Sequence, residues 1–521
     1  MVFSSTVFLF LFLPLVVLIY YNPFIKSRRF RNYFLLLASL VFYAWGEPVF
    51  VWLMILSIVV GWYIGLRIER AETPIAKRRV LTIGVVFHVG LLFVFKYLTF
   101  VASQLGLLLH RDFSVISITL PIGISFFTFQ LLSYLFDIYY DKAQAQRSVL
   151  AVGLYIALFP QLIAGPIVRY DLIAEQIAHR RENMTDFAAG MMRFVYGLGK
   201  KVLIANYVAQ VADDIFDSGV PLSTATVWLG VLAYTLQIYF DFSGYSDTAI
   251  GLGRMFGFRF AENFNYPYIS RSATEFWRRW HISLGSWFRD YAYIPLGGNR
   301  VSKLRWVGNL FIVWALTGIW HGANWTFLCW GLFYFLLLLV EKLTRFPEKL
   351  GRLAHIYALL AIMCGWTLFR AKDLASAGQY LAAMFGQAPA GLIDATFWIY
   401  LTGSISVLVL GCLLSAPVWP TIQRRFAQGR IFQYGEPVWA AGVFLLATLV
   451  CISASYNPFI YFNFLGGRSM RAERWKQAVM FACFAMLVVG DGCGLYSLWH
   501  GTGTHQALAS GQCGHAVRFP R

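Results

Sequence analysis

The chain has 521 residues, 59% hydrophobic and 18% aromatic but only 13% charged, with a mean hydropathy of +0.61. This excludes an ordinary soluble domain, because apolar runs of about 18 residues or more, long enough to cross a hydrocarbon core of about 30 Å as helix, recur along its length. The net charge of +18 does not imply nucleic acid, since Lys and Arg cluster in short loops between apolar runs, the distribution that orients a helix bundle in a membrane.

Backbone groups in lipid must be satisfied internally, and a barrel would show alternating strands of about ten residues, so the apolar runs are read as helices. The sequence predicts an all-α polytopic membrane protein. Its seven cysteines show no CxxC spacing, which implies neither a disulfide framework nor a zinc site.

Residues 7–21 have no basic region before them and no small-residue cleavage site after them, so they are read as a spanning helix rather than a signal peptide. Lys26, Arg28, Arg29 and Arg31 follow, placing that loop in the cytoplasm and the N-terminus outside. Helices over 33–45 and 49–66 flank a Gly46-Glu47-Pro48 turn and lead to a second basic loop with Arg67, Arg70, Lys77, Arg78 and Arg79. Residues 81–109 cross again to a polar turn at His110-Arg111-Asp112.

Pro121 and Gly123, and then the PQLIAGPIV run from Pro160, interrupt otherwise good membrane helices. Either an internal cavity covers non-helical backbone there, or neighbouring helices accommodate proline kinks. RYDLIAEQIAHRREN, residues 169–183, mixes charge and apolar residues at helical spacing and reads as a surface-lying segment with a solvated His179. In 187–211, Arg193, Lys200 and Lys201 must face the bundle interior or snorkel. Residues 228–258 carry Gln237, Asp241, Ser243, Ser246 and Asp247, with the two aspartates on different sides of a helix.

Residues 261–330 concentrate charge and histidine between apolar walls. One helix is predicted from about Ser272 through Trp287, with Ser272 or Thr274 as N-cap and Trp277, Trp280, His281 and Leu284 on one face. Arg278, Arg279 and Arg289 then lie toward a membrane surface, and Tyr291, Tyr293, Gly297, Gly298, Asn299 and Arg300 form a loop that permits close backbone approach to a ligand. Arg278, Arg279 and Arg300 suit a polyphosphate such as the diphosphate of coenzyme A, or they fix topology against lipid headgroups.

The apolar run 306–340 is too long for one crossing, about 52 Å as helix, so it tilts strongly or breaks among Gly318, His321, Gly322 and Asn324. Basic residues at both ends, Lys303 and Arg305 before and Lys342, Arg345 and Lys349 after, favour a chain that enters from the cytoplasm, breaks and returns. His321 would then lie about 20–25 Å from the cytoplasmic face. It is either a packed histidine bonded to Asn324 or a carbonyl, or a general base acting on a hydroxyl. No GxSxG nucleophile motif is present. Asn324 is a candidate for orienting the imidazole or donating to an oxyanion, against simple capping.

After three more apolar runs, at 357–369, 397–416 and 438–454, the pattern changes past Phe464. The expected division is a transmembrane domain over 1–464 and a C-terminal extension over 465–521, with a short apolar segment and a disordered tail. His500, His505, His515, Cys493 and Cys513 are too irregularly spaced to be read as a metal set.

FDFSGYSD, ENFNYPYIS, EFWRRWHISLGSWFRDYAYIPLGGNR, GIWHGANWTF and YNPFIYFNF together resemble the membrane-bound O-acyltransferase family, in particular its bacterial alginate O-acetyltransferase branch, over about residues 1–464. The resemblance implies a ring of helices around a thin centre pierced by a tunnel, with acyl donor entering from the cytoplasm and acceptor from the opposite side. It implies that His321 is catalytic and that His281 is a second prominent position. It further implies transfer of acetyl from a cytoplasmic donor, acetyl-CoA, across the bacterial inner membrane toward a secreted polysaccharide, with periplasmic partner proteins and no bound cofactor. D-alanyl and peptidoglycan O-acyltransferases of the same family are alternatives. A secondary transporter would also give a midplane polar site, but no inverted repeat is visible.

Overall fold

The computed structural model describes residues 1–453 apart from 25, 112, 114–117, 164 and 427–428, and every regular element among the described residues is helical. A π-helical turn, Phe8–Phe12, opens into α1 (Leu13–Tyr20), followed by α2 (Arg28–Ala44) and α3 (Phe50–Glu69). Helix α4 (Pro74–Leu92) continues through a π turn, Phe93–Tyr97, into α5 (Leu98–Leu109); α6 (Ile124–Tyr139), α7 (Val149–Ala157) and α8 (Tyr170–His179) follow. A second such composite joins α9 (Met184–Gly199) through Lys200–Ala205 to α10 (Asn206–Phe216), which packs on the 32-residue α11 (Thr224–Met255). Then come α12 (Ala273–Arg279), α13 (Ile282–Phe288), α14 (Lys303–His321), α15 (Trp325–Thr344), α16 (Phe346–Lys349), α17 (Leu353–Arg370), α18 (Leu374–Met384), α19 (Ala395–Leu414), α20 (Val418–Phe426) and α21 (Arg430–Ser453).

Six described segments are long and apolar enough to span a membrane: Phe50–Glu69, Pro74–Lys96, Trp325–Thr344, Leu353–Arg370, Ala395–Leu414 and Tyr434–Ser453. Phe8–Tyr20, Leu98–Leu109 and Ile124–Tyr139 are shorter apolar helices. The protein is therefore the all-α polytopic membrane protein that its composition predicts.

The interruptions are real and covered by protein. Gly123 adopts φ +78 at the start of α6, a conformation that glycine reaches without steric penalty. After α7 the backbone leaves helical geometry at Leu158, and Phe159, Pro160, Gln161, Leu162 and Ile163 are all buried. Helix α8 is amphipathic as expected, with Ile173 and Ile177 buried and His179 exposed.

The charges of the α9–α10 composite turn inward. Lys201 pairs with Asp241 at 2.6 Å, while Arg193 and Lys200 hold Asp247 at 2.7 and 2.6 Å. This reaches both predicted sides of α11. Between α9 and α11 the backbones nearly touch: a Cβ on Gly251 would meet the Gly190 carbonyl oxygen at 2.5 Å, and one on Gly244 would meet that of Gly197 at 2.8 Å.

A second polar cluster ties distant segments together. Glu182, just before α9, accepts hydrogen bonds from Arg28 (2.8 Å to its second oxygen) and Tyr20, while Arg180 donates to the Phe256 carbonyl at 3.1 Å. Tyr21 donates to the carbonyl of Met255. Burial pushes the Glu182 carboxyl up, but its hydrogen bonds to Arg28 and Tyr20 and the Arg28 and Arg180 charges outweigh this and hold it at about 2.

The apolar side chains form two buried clusters. One is drawn mainly from α1–α9 and α13; the other comes from α10, the first half of α11, α12, α14, α15, α17 and neighbours. Trp320 and Leu284 belong to the first, Trp280, Trp330 and Phe369 to the second. Both histidines of interest lie where these clusters meet.

Two sequence expectations need correction or completion. The single helix over 272–287 is broken into α12 and α13 at Trp280-His281. The run 306–340 breaks at residues 322–324 into the hairpin α14–α15, so it is not one long tilted helix. The turn residue Asp112, the YNPFIYFNF motif, the 465–521 extension and its His and Cys residues lie outside the described residues.

Candidate active site

The α14–α15 hairpin presents His321. Its arms approach closely because both carry glycine at the crossing: a Cβ on Gly318 would meet the Phe327 carbonyl oxygen at 2.5 Å, and one on Gly331 that of Trp314 at 2.5 Å. At the turn, Asn324 accepts a hydrogen bond from Thr326 N at 3.1 Å as N-cap of α15 and donates to the Lys372 carbonyl at 2.9 Å. Its amide pins the turn to the chain leaving α17. Of the readings offered for Asn324, the structure shows capping: its amide is directed to these two partners.

His321 is the last residue of α14, roughly 27 Å along the helix from Lys303 at 1.5 Å per residue. Its imidazole is enclosed by Trp320, Trp330 and Phe369, with ring centroids at 4.9, 4.9 and 5.1 Å and near-perpendicular planes. Among the described residues neither ring nitrogen has a hydrogen-bond partner. An imidazole held by aromatic walls, with a nitrogen lone pair uncommitted, is equipped to take a proton.

The end of α14 is braced from the side. Within the π turn Phe93–Tyr97, Lys96 donates to the Trp320 carbonyl and to Ser125 Oγ at 3.1 Å, and Tyr97 donates to the Ile319 carbonyl at 2.7 Å. These are carbonyls of the last helical turn, which lack intrahelical partners, and a cation there also complements the helix dipole. The Lys96 ammonium lies 5.6 Å from the centroid of the Trp320 ring.

His281 occupies the apex between α12 and α13 at φ +46, ψ +52, a left-handed conformation that costs a non-glycine residue on the order of 1–2 kcal/mol. The segment 263–265 supports the break. Asn263 O accepts from Ile282 N at 3.0 Å, Asn265 N donates to the Arg279 carbonyl at 2.9 Å, and Glu341 takes the N–H groups of Ala273 and Thr274 at 2.7 and 2.8 Å. At the break, the Ile282 N–H and the Arg279 carbonyl, which a continuous helix would pair internally, are thus satisfied from outside, while Glu341 caps the first turn of α12.

The Asn263 side chain fixes the His281 tautomer. Its oxygen accepts from the Ser283 backbone N–H at 3.2 Å and from Ser283 Oγ at 2.8 Å, and its nitrogen donates to Ser246 Oγ at 3.0 Å. A backbone N–H can only donate, so the amide oxygen faces it. The same oxygen lies 3.1 Å from His281 Nδ1, which must therefore carry the proton. Among the described residues, His281 Nε2 is left as a buried acceptor without a partner. His281 is 2% exposed, and its ring and that of His321 both approach Trp320, at 6.1 and 4.9 Å. The structure thus brings the two histidines together across one indole.

The three candidate arginines are not gathered around them. Arg279 pairs with Glu275 at 2.9 Å and donates to the Asn265 carbonyl at 3.2 Å, while Arg278 and Arg300 are exposed. Lys96, Asn263 and Ser283 were missed by sequence reasoning. Lys96 carried a legible signal, a lysine inside an apolar run. Beyond Phe369, at the chain leaving α17, an open cavity of about 680 Å³ is lined by Arg370, Lys372, Ser376, Gln379, Tyr380 and Asp217, among others.

Comparison with known proteins bears on this arrangement directly. Residues 141–369, which contain both histidines, match the model of the MBOAT, membrane-bound O-acyltransferase family. The chain is 47% identical over 393 residues to the probable alginate O-acetylase AlgI of Azotobacter vinelandii, covering 74% of this chain and 78% of that one. It is 40% identical over 492 residues to the protein of the same name from Pseudomonas putida, covering 89% and 100%. It is also 36% identical over 421 residues to the peptidoglycan O-acetyltransferase of Helicobacter pylori, covering 74% and 80%. With its spanning helices and paired histidines, the chain belongs to the membrane-bound O-acyltransferase family and is a multi-pass membrane O-acyltransferase.

Proposed function

We propose that this enzyme moves acetyl groups from a cytoplasmic thioester, acetyl-CoA, across the bacterial inner membrane for O-acetylation of a secreted polysaccharide such as alginate, with His321 as general base. The observation that carries the chemistry is the imidazole of His321, free of hydrogen-bond partners among the described residues and walled by Trp320, Trp330 and Phe369. The likeness to proteins named alginate O-acetylase supports the acceptor class.

In this reading His321 removes the acceptor hydroxyl proton as the oxygen attacks the thioester carbonyl. A C–O bond forms, the tetrahedral oxyanion collapses, the C–S bond breaks, and the departing thiolate takes the proton back from His321. His281 lies on the donor side, with Arg278, Arg279 and Arg300 as the groups that meet the donor's phosphates. The acceptor arrives from the end of α17, where the open cavity lies, and periplasmic partner proteins complete the transfer to polymer. Residues 465–521 are a separate extension of the transmembrane domain.

Acetate esters in the exopolysaccharide of a deletion strain test the reading. Their loss, with restoration by the intact gene, is the expected outcome. Unchanged polymer acetylation with altered cell-wall acylation instead would redirect the enzyme to a peptidoglycan or D-alanyl acceptor, in keeping with the Helicobacter relative.

A further inference from the structure

A lysine in an apolar helix is costly, and proteins that keep one there usually pair it. Lys96 is half-buried at the end of the span Pro74–Lys96 and, among the described residues, has no carboxylate partner. Its hydrogen bonds go to two neutral acceptors, the Trp320 carbonyl and Ser125 Oγ. An ammonium has three N–H donors, so one remains. The residue it grips is joined by a peptide bond to His321.

The side chain is placed there by two local departures from regular helix. The π turn Phe93–Tyr97 rotates Lys96 and Tyr97 so that consecutive residues both reach the last carbonyls of α14. Ser125 stands in the first turn of α6, directly after the left-handed Gly123. A cation without a carboxylate partner among the described residues, bonded to the carbonyl of the residue before His321 and left with a spare donor, is suited to a negative charge that exists only during the reaction.

We infer that Lys96 is a catalytic residue of the acyl-transfer site, whose remaining N–H stabilises the oxyanion formed when the acceptor oxygen attacks the thioester carbonyl. The inference rests on the reading of His321 as general base. As the C–O bond forms, the carbonyl π electrons move onto oxygen beside the ammonium. When the C–S bond breaks they return to the carbonyl, so Lys96 gives up no proton and the enzyme is restored. Without it the same step proceeds against an uncompensated charge in a low-dielectric site.

The test uses inverted membrane vesicles from the deletion strain expressing full-length protein at matched levels, with radiolabelled acetyl-CoA as probe and label fixed on non-CoA material as the readout. Lys96→Met is expected to lower kcat about 10²–10³-fold, the range for loss of one oxyanion donor, with KM for acetyl-CoA within about twofold. Lys96→Arg is expected to recover at least about tenfold of that loss. Wild-type kcat in Lys96→Met, or a loss confined to KM, overturns the inference. If Lys96→Met does not accumulate in the membrane, Lys96→Gln and Lys96→Arg decide: equal activity in the two overturns the role of charge, and a clear advantage for Arg supports it. His321→Ala is run in parallel. Activity there removes the general-base reading itself, whereas an inactive His321→Ala beside a fully active Lys96→Met removes only this inference.

Discussion

His281 and His321 are both imidazoles against the same indole, yet their hydrogen bonding separates them. His281 Nδ1 is fixed as a donor by Asn263, and its left-handed backbone is held by contacts from residues 263–265. Among the described residues, His321 is gripped by ring packing and by the bracing of the helix behind it, with no hydrogen bond to its ring. His321→Ala should therefore lower acetyl transfer by about 10²–10⁴-fold, while His281→Ala produces a smaller loss, measured in vesicles at matched expression. Asn263→Leu strands the Ser283 N–H and the His281 Nδ1–H in a buried site. At about 1–3 kcal/mol for a buried group left unsatisfied, it should lower thermal stability measurably as well as turnover. Wild-type stability in that variant would contradict the network. His321 was legible as an ionisable residue in an apolar run. The tautomer of His281 was not, because it depends on Asn263, 18 residues away, whose role only tertiary contact reveals.

At the level of elements, long apolar helices and basic loops followed directly from sequence, whereas the break between α12 and α13 did not. WRRWHIS contains no glycine or proline, and the break persists because Asn263 and Asn265 take over the helix-end groups exposed there. The π turns Phe93–Tyr97 and Lys200–Ala205 were equally hidden, although both place lysines where they are used: Lys96 against α14, and Lys200 and Lys201 against the aspartates of α11. The glycines at helix crossings carry the strictest element-scale requirement. A side chain at Gly251 would press on the Gly190 carbonyl oxygen and on Phe194 N, both backbone atoms that cannot rotate away. Gly251→Val is expected to cost about 1–3 kcal/mol through overpacking and to lower the amount of folded protein recovered in detergent. Gly442→Ala, on α21 with open space around its Cβ position, is expected to leave it unchanged. Size-exclusion profiles of the two variants compare these outcomes.

For the molecule as a whole, orientation and acid tolerance can be tested separately. A topology with the N-terminus periplasmic and residues 26–31, 67–80 and 297–305 cytoplasmic predicts that a cysteine placed at Ser302 reacts with an impermeant reagent only from the cytoplasmic side. Labelling from the periplasm would defeat both the donor-side assignment and the direction of the α14–α15 hairpin. Glu182 sets an acid limit. Its carboxyl is held at about 2 in the folded protein, against about 4.3 in an unfolded chain. The depressed value means its contribution is fully present above about pH 4.3 and is lost as pH falls toward 2. Detergent-solubilised wild type should therefore lose stability across that interval, and Glu182→Gln, already lacking the contribution, should show a flatter dependence. The spans and basic loops could be read from periodicity and charge. The pairing of Arg28 with Glu182 could not, because nothing in either local sequence identifies a partner 154 residues away.

The same cluster places a condition on the order of biosynthesis. Tyr20, Tyr21 and Arg28 leave the ribosome early, but their partners are Glu182, Arg180 and the carbonyls of Met255 and Phe256. At roughly 5–20 residues per second, the interval between Tyr20 and Phe256 lasts about 10–50 s. Arg28 lacks its partners until residues 180–182 are made, and Tyr20 and Tyr21 lack the carbonyls of Phe256 and Met255 until the end of that interval. A chain interrupted before Phe256 would leave the phenol of Tyr20 without the Phe256 carbonyl to which it donates at 3.2 Å.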